Sequence, residues 1–138
     1  MPREGHNGWI RSRILDKNTS GADLTANTAL TIMTGYRPGF RCFIEEFGFV
    51  VDEALAGAGG TLTFTLTDGS DNVIATLTIT LAAGADGAVI TTSTITETFR
   101  EVRDPTTLKL KRSATGTAFT SGSGNFYVKA RQRPQQVA

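Results

Sequence analysis

From residue 61 to residue 67 the chain reads Thr-Leu-Thr-Phe-Thr-Leu-Thr, with apolar and polar positions alternating without a break. That period of two places Leu62, Phe64 and Leu66 on the buried face of a strand and the threonines on the other. A cluster of turn-formers follows, Asp68, Gly69, Ser70, Asp71 and Asn72, and then a second run from 73 to 81. The inner face of this run is expected to hold Val73, Ala75, Leu77, Ile79 and Leu81, with Thr76, Thr78 and Thr80 opposite. Two alternating runs around a short Gly-containing turn predict a β-hairpin.

The same theme continues less cleanly elsewhere. Residues 24–34 form a threonine-rich strand candidate closed by Gly35. Residues 40–51 are apolar on both parities, Phe43, Phe47, Phe49 and Val51 against Ile44 and Val50, which suits a central strand. Residues 54–60 read as a small-residue loop, and 88–99 as a β-branched strand region after the turn at 84–87. A strand is expected after Asp104 and Pro105, where Leu108 and Leu110 alternate with Lys109 and Lys111. Residues 113–120 offer a short strand, and 121–124 a Ser-Gly turn. Beyond it Phe126, Val128 and Ala130 alternate with Tyr127, Lys129 and Arg131. No segment keeps a helical period. Seven to eight short strands at this spacing predict an all-β, antiparallel β-sandwich.

At 138 residues the chain fits one domain. Residues 1–20 are polar and unpatterned and read as an N-terminal arm, 21–132 as the sandwich and 133–138 as a tail. No apolar run approaches the roughly 20 residues of a membrane-spanning helix, so no membrane partner is expected. The N-terminus lacks the apolar core of a secretory signal, and synthesis in a cytoplasm is expected. Asn18, Thr19 and Ser20 match the glycosylation pattern, which has no consequence without a secretory route.

Net charge is +1, but it is laid unevenly. Residues 42–99 carry eight carboxylates and no Lys or Arg, whereas residues 100–138 carry eight basic residues against two acidic ones. Two readings follow. Acidic and basic strands can lie side by side and neutralise each other, which is the simpler account. Alternatively, the separated charges form complementary docking surfaces. The basic candidates are Lys109, Lys111 and Arg112 with Lys129 and Arg131 in the domain, and Arg3, Arg11 and Arg13 in the arm. Tyr127 shares a face with Lys129 and Arg131. The near-neutral total argues against a nucleic-acid partner.

Catalytic chemistry is scarce. His6 is the single histidine and lies in the arm, where it is not held within reach of a nucleophile. Cys42 is the single cysteine, set in an apolar stretch that predicts a buried thiol; it excludes an intrachain disulfide and any multi-cysteine zinc site. Glu45 and Glu46, like Asp52 and Glu53, are adjacent in a strand, so each pair is expected to point to opposite faces and not to share a substrate. The 68–72 turn has oxygen ligands for Ca²⁺, but Asp, Gly and Asn are also what a tight turn requires on steric grounds. No enzyme, no metal and no cofactor are expected.

The run Phe43-Ile44-Glu45-Glu46-Phe47-Gly48-Phe49-Val50-Val51, the Gly-rich residues 56–60 and the 61–81 hairpin together resemble the jelly-roll-like β-sandwich virion proteins of tailed bacteriophages, above all capsid decoration or cement proteins. The resemblance spans residues 39–131 and is one of style, threonine-rich strands with glycine-rich loops, without a diagnostic motif. It implies a jelly-roll-like sandwich, a place in the virion, the major capsid protein as partner, and self-association, often as a homotrimer. Partner contacts are expected at Arg3, Trp9, Arg11, Arg13, Lys109, Lys111, Lys129 and Arg131, with residues 1–20 ordering on a neighbouring chain. The alternative is a carbohydrate- or receptor-binding fibre or tail module. Its aromatic candidates are Trp9, Tyr36 and Tyr127, and exposure of Tyr36 and Tyr127 together on one face would favour it.

Overall fold

The computed structural model describes residues 10–19, 23–26, 28–57, 60–91, 94–116 and 118–132. Among the described residues there are seven longer strands and, between the fifth and the last two of them, three very short ones: β1 (Ile10–Asn18), β2 (Leu30–Tyr36), β3 (Cys42–Ala56), β4 (Thr61–Asp68), β5 (Val73–Thr80), β6 (Val89–Thr91), β7 (Thr94–Ile95), β8 (Glu101–Val102), β9 (Leu108–Gly116) and β10 (Ser121–Gln132). Every pairing is antiparallel.

They form two sheets, here called A and B. Sheet A runs β1-β10-β3-β6, with β8 on the same edge of β3 as β6, and sheet B runs β2-β9-β4-β5-β7. The pairing is nested. β4 pairs β5, β3 pairs β6 and β8, β2 pairs β9, and β1 pairs β10. The two halves of the chain therefore run alongside each other as one long hairpin wrapped around a core, which is the jelly-roll plan.

Alternation builds the interior between the sheets. Leu62, Phe64 and Leu66 of β4 meet Ile74, Ala75, Leu77 and Ile79 of β5, all at most 1% exposed. From the facing sheet Phe126 reaches across to Phe64, ring centroids 4.9 Å apart, while packing against Phe49 of its own sheet at 4.8 Å. Each fully buried side chain of this size contributes about 1.5–3 kcal/mol, which pins the register of both sheets. The outer face of sheet B is a threonine surface, with Thr61, Thr63 and Thr65 facing Thr80, Thr78 and Thr76.

Several expectations are corrected. A bulge between Leu66 and Thr67 shifts the hairpin phase, so Ile74 turns inward and Val73 stays 40% exposed. Leu81 leaves the strand for a short 3-10 turn. β3 continues through 54–56, expected as loop, and the Ser-Gly residues 121–124 open β10 against it. The polar arm was expected to run to residue 20, yet 10–18 pair with β10 along their length and bury Ile14 and Leu15 on their own domain. The expectation that 1–20 order only on a neighbour thus fails for residues 10–18. Residues 1–9 and 133–138 lie outside the described residues, and with them Arg3 and Trp9.

Candidate functional site: a charged face on sheet A

β10 lies between β1 and β3, and around Lys129 both neighbours bulge. β3 steps from Glu46 to Ile44 while β10 advances one residue, leaving Glu45 as the extra position. β1 steps from Arg13 to Leu15 across the same kind of gap, leaving Ile14 extra. A bulge puts two residues opposite one and re-aims the side chains beside it. In β3 it switches the inward parity, from Cys42 and Ile44 before the bulge to Phe47, Phe49 and Val51 after it. In β1 it buries Ile14 and Leu15 in succession.

Glu45 and Glu46, expected on opposite faces, consequently line one shallow depression of about 300 Å³ together with Arg11, Ser12, Arg13 and Lys129. Glu45 sits 3.1 Å from Arg11 Nε and 3.4 Å from Arg131 Nε. Glu46 accepts a hydrogen bond from the Tyr127 hydroxyl.

Tyr127 is the centre of this face. It pairs directly with Gly48, whose missing side chain is the space the ring fills, since a Cβ there would stand 2.5 Å from Tyr127 Cζ. The Arg13 guanidinium covers the ring at 4.6 Å from its centroid and the Lys129 ammonium lies 5.6 Å from it. Cations over an aromatic face are attracted by its quadrupole. So covered, Tyr127 is 1% exposed although it lies on the outer side of the sheet. Loss of water, and then the neighbouring Glu46 carboxylate, push its phenol well above the ordinary value.

The registers Arg11↔Arg131 and Arg13↔Lys129 set cation directly against cation. Like charges opposite each other weaken a strand pair, and here Glu45 between Arg11 and Arg131 offsets part of that repulsion. Arg13 also holds Asp16 at 3.0 Å, and Asp16 accepts from Asn125 Nδ2 at 2.9 Å. Beyond Arg131, Phe43 lies under the guanidinia of Arg41 and Arg131, and Arg41 pairs with Glu101 at 2.5 Å. That pairing lowers the Glu101 pKa through the hydrogen bond from Arg41.

The other expected contact residues lie elsewhere. Lys109 and Lys111 are on the outer face of sheet B, where both hold Asp71 Oδ1, at 2.9 and 3.0 Å. These two bonds depress the Asp71 carboxyl. Asp68 Oδ1 accepts the backbone N–H groups of Ser70 and Asn72, so both carboxylates of the 68–72 turn serve the turn and its flank. Among the described residues no group of three His, Cys, Asp or Glu side chains stands together as a metal site. Arg112 leaves the basic patch. It shares the inward parity of Leu108 and Leu110, is 2% exposed, and points Nη1 at the Asp23 carbonyl at 3.5 Å. Burial lowers its pKa, opposed by the charge of Asp23. Cys42 is buried on the inner face and its thiol is pushed up to about 11.

Tyr36 and Tyr127 do not share an exposed face. Tyr36 is half-buried on sheet B and donates its hydroxyl to the Ile14 carbonyl of sheet A, tying β2 to β1 across the sandwich edge.

The fold and the site together define a class, a jelly-roll β-sandwich whose most elaborated surface is a charged, aromatic-centred sheet face. The chain matches no protein-family model and no curated protein.

Proposed function

We propose that the chain is a non-enzymatic structural protein of a tailed-bacteriophage virion, a decoration or cement subunit that binds the major capsid protein lattice and associates with itself. The observation that carries the reading is the sheet A face, where Arg11 faces Arg131 and Arg13 faces Lys129 around Glu45 and Glu46, a concentration of charge suited to a contact between protein subunits, whether with the shell or with a second copy. The jelly-roll plan is one that capsid proteins share with lectins and cupins, so the fold alone supports the class weakly. The resemblance of the 43–51 run, the 56–60 glycines and the 61–81 hairpin to decoration proteins supports it further. A carbohydrate-binding module would present aromatic side chains to solvent, and the buried Tyr127 counts against that alternative.

The test uses shells of the encoding phage that lack this protein. Purified chain is mixed with them and the shells are pelleted. Saturating co-sedimentation in a fixed ratio to the shell protein, with a raised disruption temperature, is the expected outcome. Failure to bind shells, coupled with retention on immobilised oligosaccharides, would move the reading to a receptor-binding module.

A further inference from the structure

The outer face of sheet A changes character along β3. At its N-terminal half lie Arg11, Arg13, Lys129 and Arg131 around Glu45 and Glu46. At the middle, Val50 pairs with Val89, which is 60% exposed, and Gly48 pairs with Thr91. At the C-terminal half a register shift between Gly124↔Val51 and Ser123↔Glu53 leaves Asp52 as an extra position, so the expectation that Asp52 and Glu53 point to opposite faces fails. Both are exposed, and Asp86 joins them by accepting the Ala54 N–H at 2.5 Å. Basic, apolar and acidic zones follow one another on one surface. Asp52 lies six steps beyond Glu46, which is roughly 20 Å of strand.

We propose that this face binds a second copy of the chain through a two-fold contact. A two-fold axis lying in the contact plane and crossing the strands near Val50 reverses the order of the zones. It sets the basic half of each copy over the acidic half of the other and brings the two Val50–Val89 centres together. Such an isologous contact needs one self-complementary patch, which the zonal order supplies. Three features support the second copy as the occupant. The complementary charges are present on the same molecule, the total of +1 leaves little net repulsion between copies, and Val89 is a large apolar side chain left open at the centre. The contact makes specific the self-association proposed above and rests on it. A monomer that still binds shells would sink the contact and the self-association while leaving the shell-binding role standing, whereas a dimer that ignores shells would do the reverse.

Light scattering and sedimentation on the full chain, across concentration and salt, provide the test. The expected species is a dimer that weakens as salt rises, because exposed charges are screened within about 10 Å at 0.1 M. Three sets of substitutions at exposed positions separate the zones: Arg11→Glu with Lys129→Glu, Asp52→Lys with Glu53→Lys, and Val89→Asp. Each is expected to weaken the dimer at least tenfold while thermal unfolding confirms a folded chain. Combining the first two sets reverses both ends and restores the dimer. A wild-type monomer at low salt and high concentration would overturn the proposal. So would a trimer, or a dimer indifferent to all three sets.

Discussion

Tyr127 shows how one side chain's environment depends on a residue it never touches in sequence. Its position on the solvent side of β10 forecasts exposure, and Gly48 across the strand pair reverses that by giving the ring a bed. Gly48→Ala is therefore expected to cost about 1–3 kcal/mol by overpacking. In a Tyr127→Ala background the same change should cost much less, and urea denaturation of the four proteins measures the difference. Equal costs in both backgrounds would show that the strand, not the ring, resents the Cβ. Cys42 gives a second residue-scale expectation. Its folded pKa of about 11 stands above that of a free thiol, so folding favours the neutral form. Stability is fully present below the ordinary thiol pKa and falls as pH climbs through about 11. At neutral pH a thiol reagent should modify the chain only at the rate of unfolding; rapid labelling of the native protein would contradict the burial.

At the scale of elements, the bulges decide which residues meet. The extra residues Ile14 and Glu45 flank the rung on which Lys129 stands between Arg13 and Glu46, and the bulge at Glu45 brings both glutamates to one depression. β1 is the element whose membership matters most, since it carries two of the four cations and covers the edge of β10. Leu15→Ala is expected to destabilise the whole domain by about 2–5 kcal/mol, as for any buried leucine. A loss of less than about 0.5 kcal/mol, typical of an exposed site, would mean that 10–18 are a loosely held arm after all. The inward Arg112 follows from the same period-two logic that places Lys109 and Lys111 outside. It occupies a core-facing position of β9, where a charge must be hydrogen-bonded or paired to be tolerated.

Across the whole molecule, charge that looks segregated in sequence is partly neutralised and partly concentrated by the nested pairing. Basic β10 lies against acidic β3 on one side, as the simpler reading of the charge pattern holds, and against equally basic β1 on the other. The Asp71 and Glu101 carboxyls, both depressed by cationic partners, add stability above their unfolded pKa values that is lost as pH falls through the folded ones. The Tyr127 and Cys42 shifts act in the alkaline range, so the domain should be most stable between the two limits. Thermal unfolding from pH 3 to pH 11 should trace a plateau with a fall at each end, and a monotonic rise with pH would contradict the sign of the Cys42 and Tyr127 shifts.

Alternation by itself determined the strands of the 61–81 hairpin, the β9 and β10 alternations and the β-sandwich class, because a period of two is a local property of the chain. Cys42 was legible as a buried thiol from the apolar stretch in which it is set. The parity switch in 42–51, apolar at 42 and 44 and then at 47, 49 and 51, is the trace of the bulge at Glu45. Mixed parity also describes a central strand buried on both faces, so the trace was ambiguous. Strand neighbours, the meeting of Arg11 and Arg13 with Lys129 and Arg131, and the bed that Gly48 offers Tyr127 belong to the tertiary structure alone. They depend on which strand lies beside which and in what register, contacts between residues as far apart as 13 and 129 that no local pattern encodes.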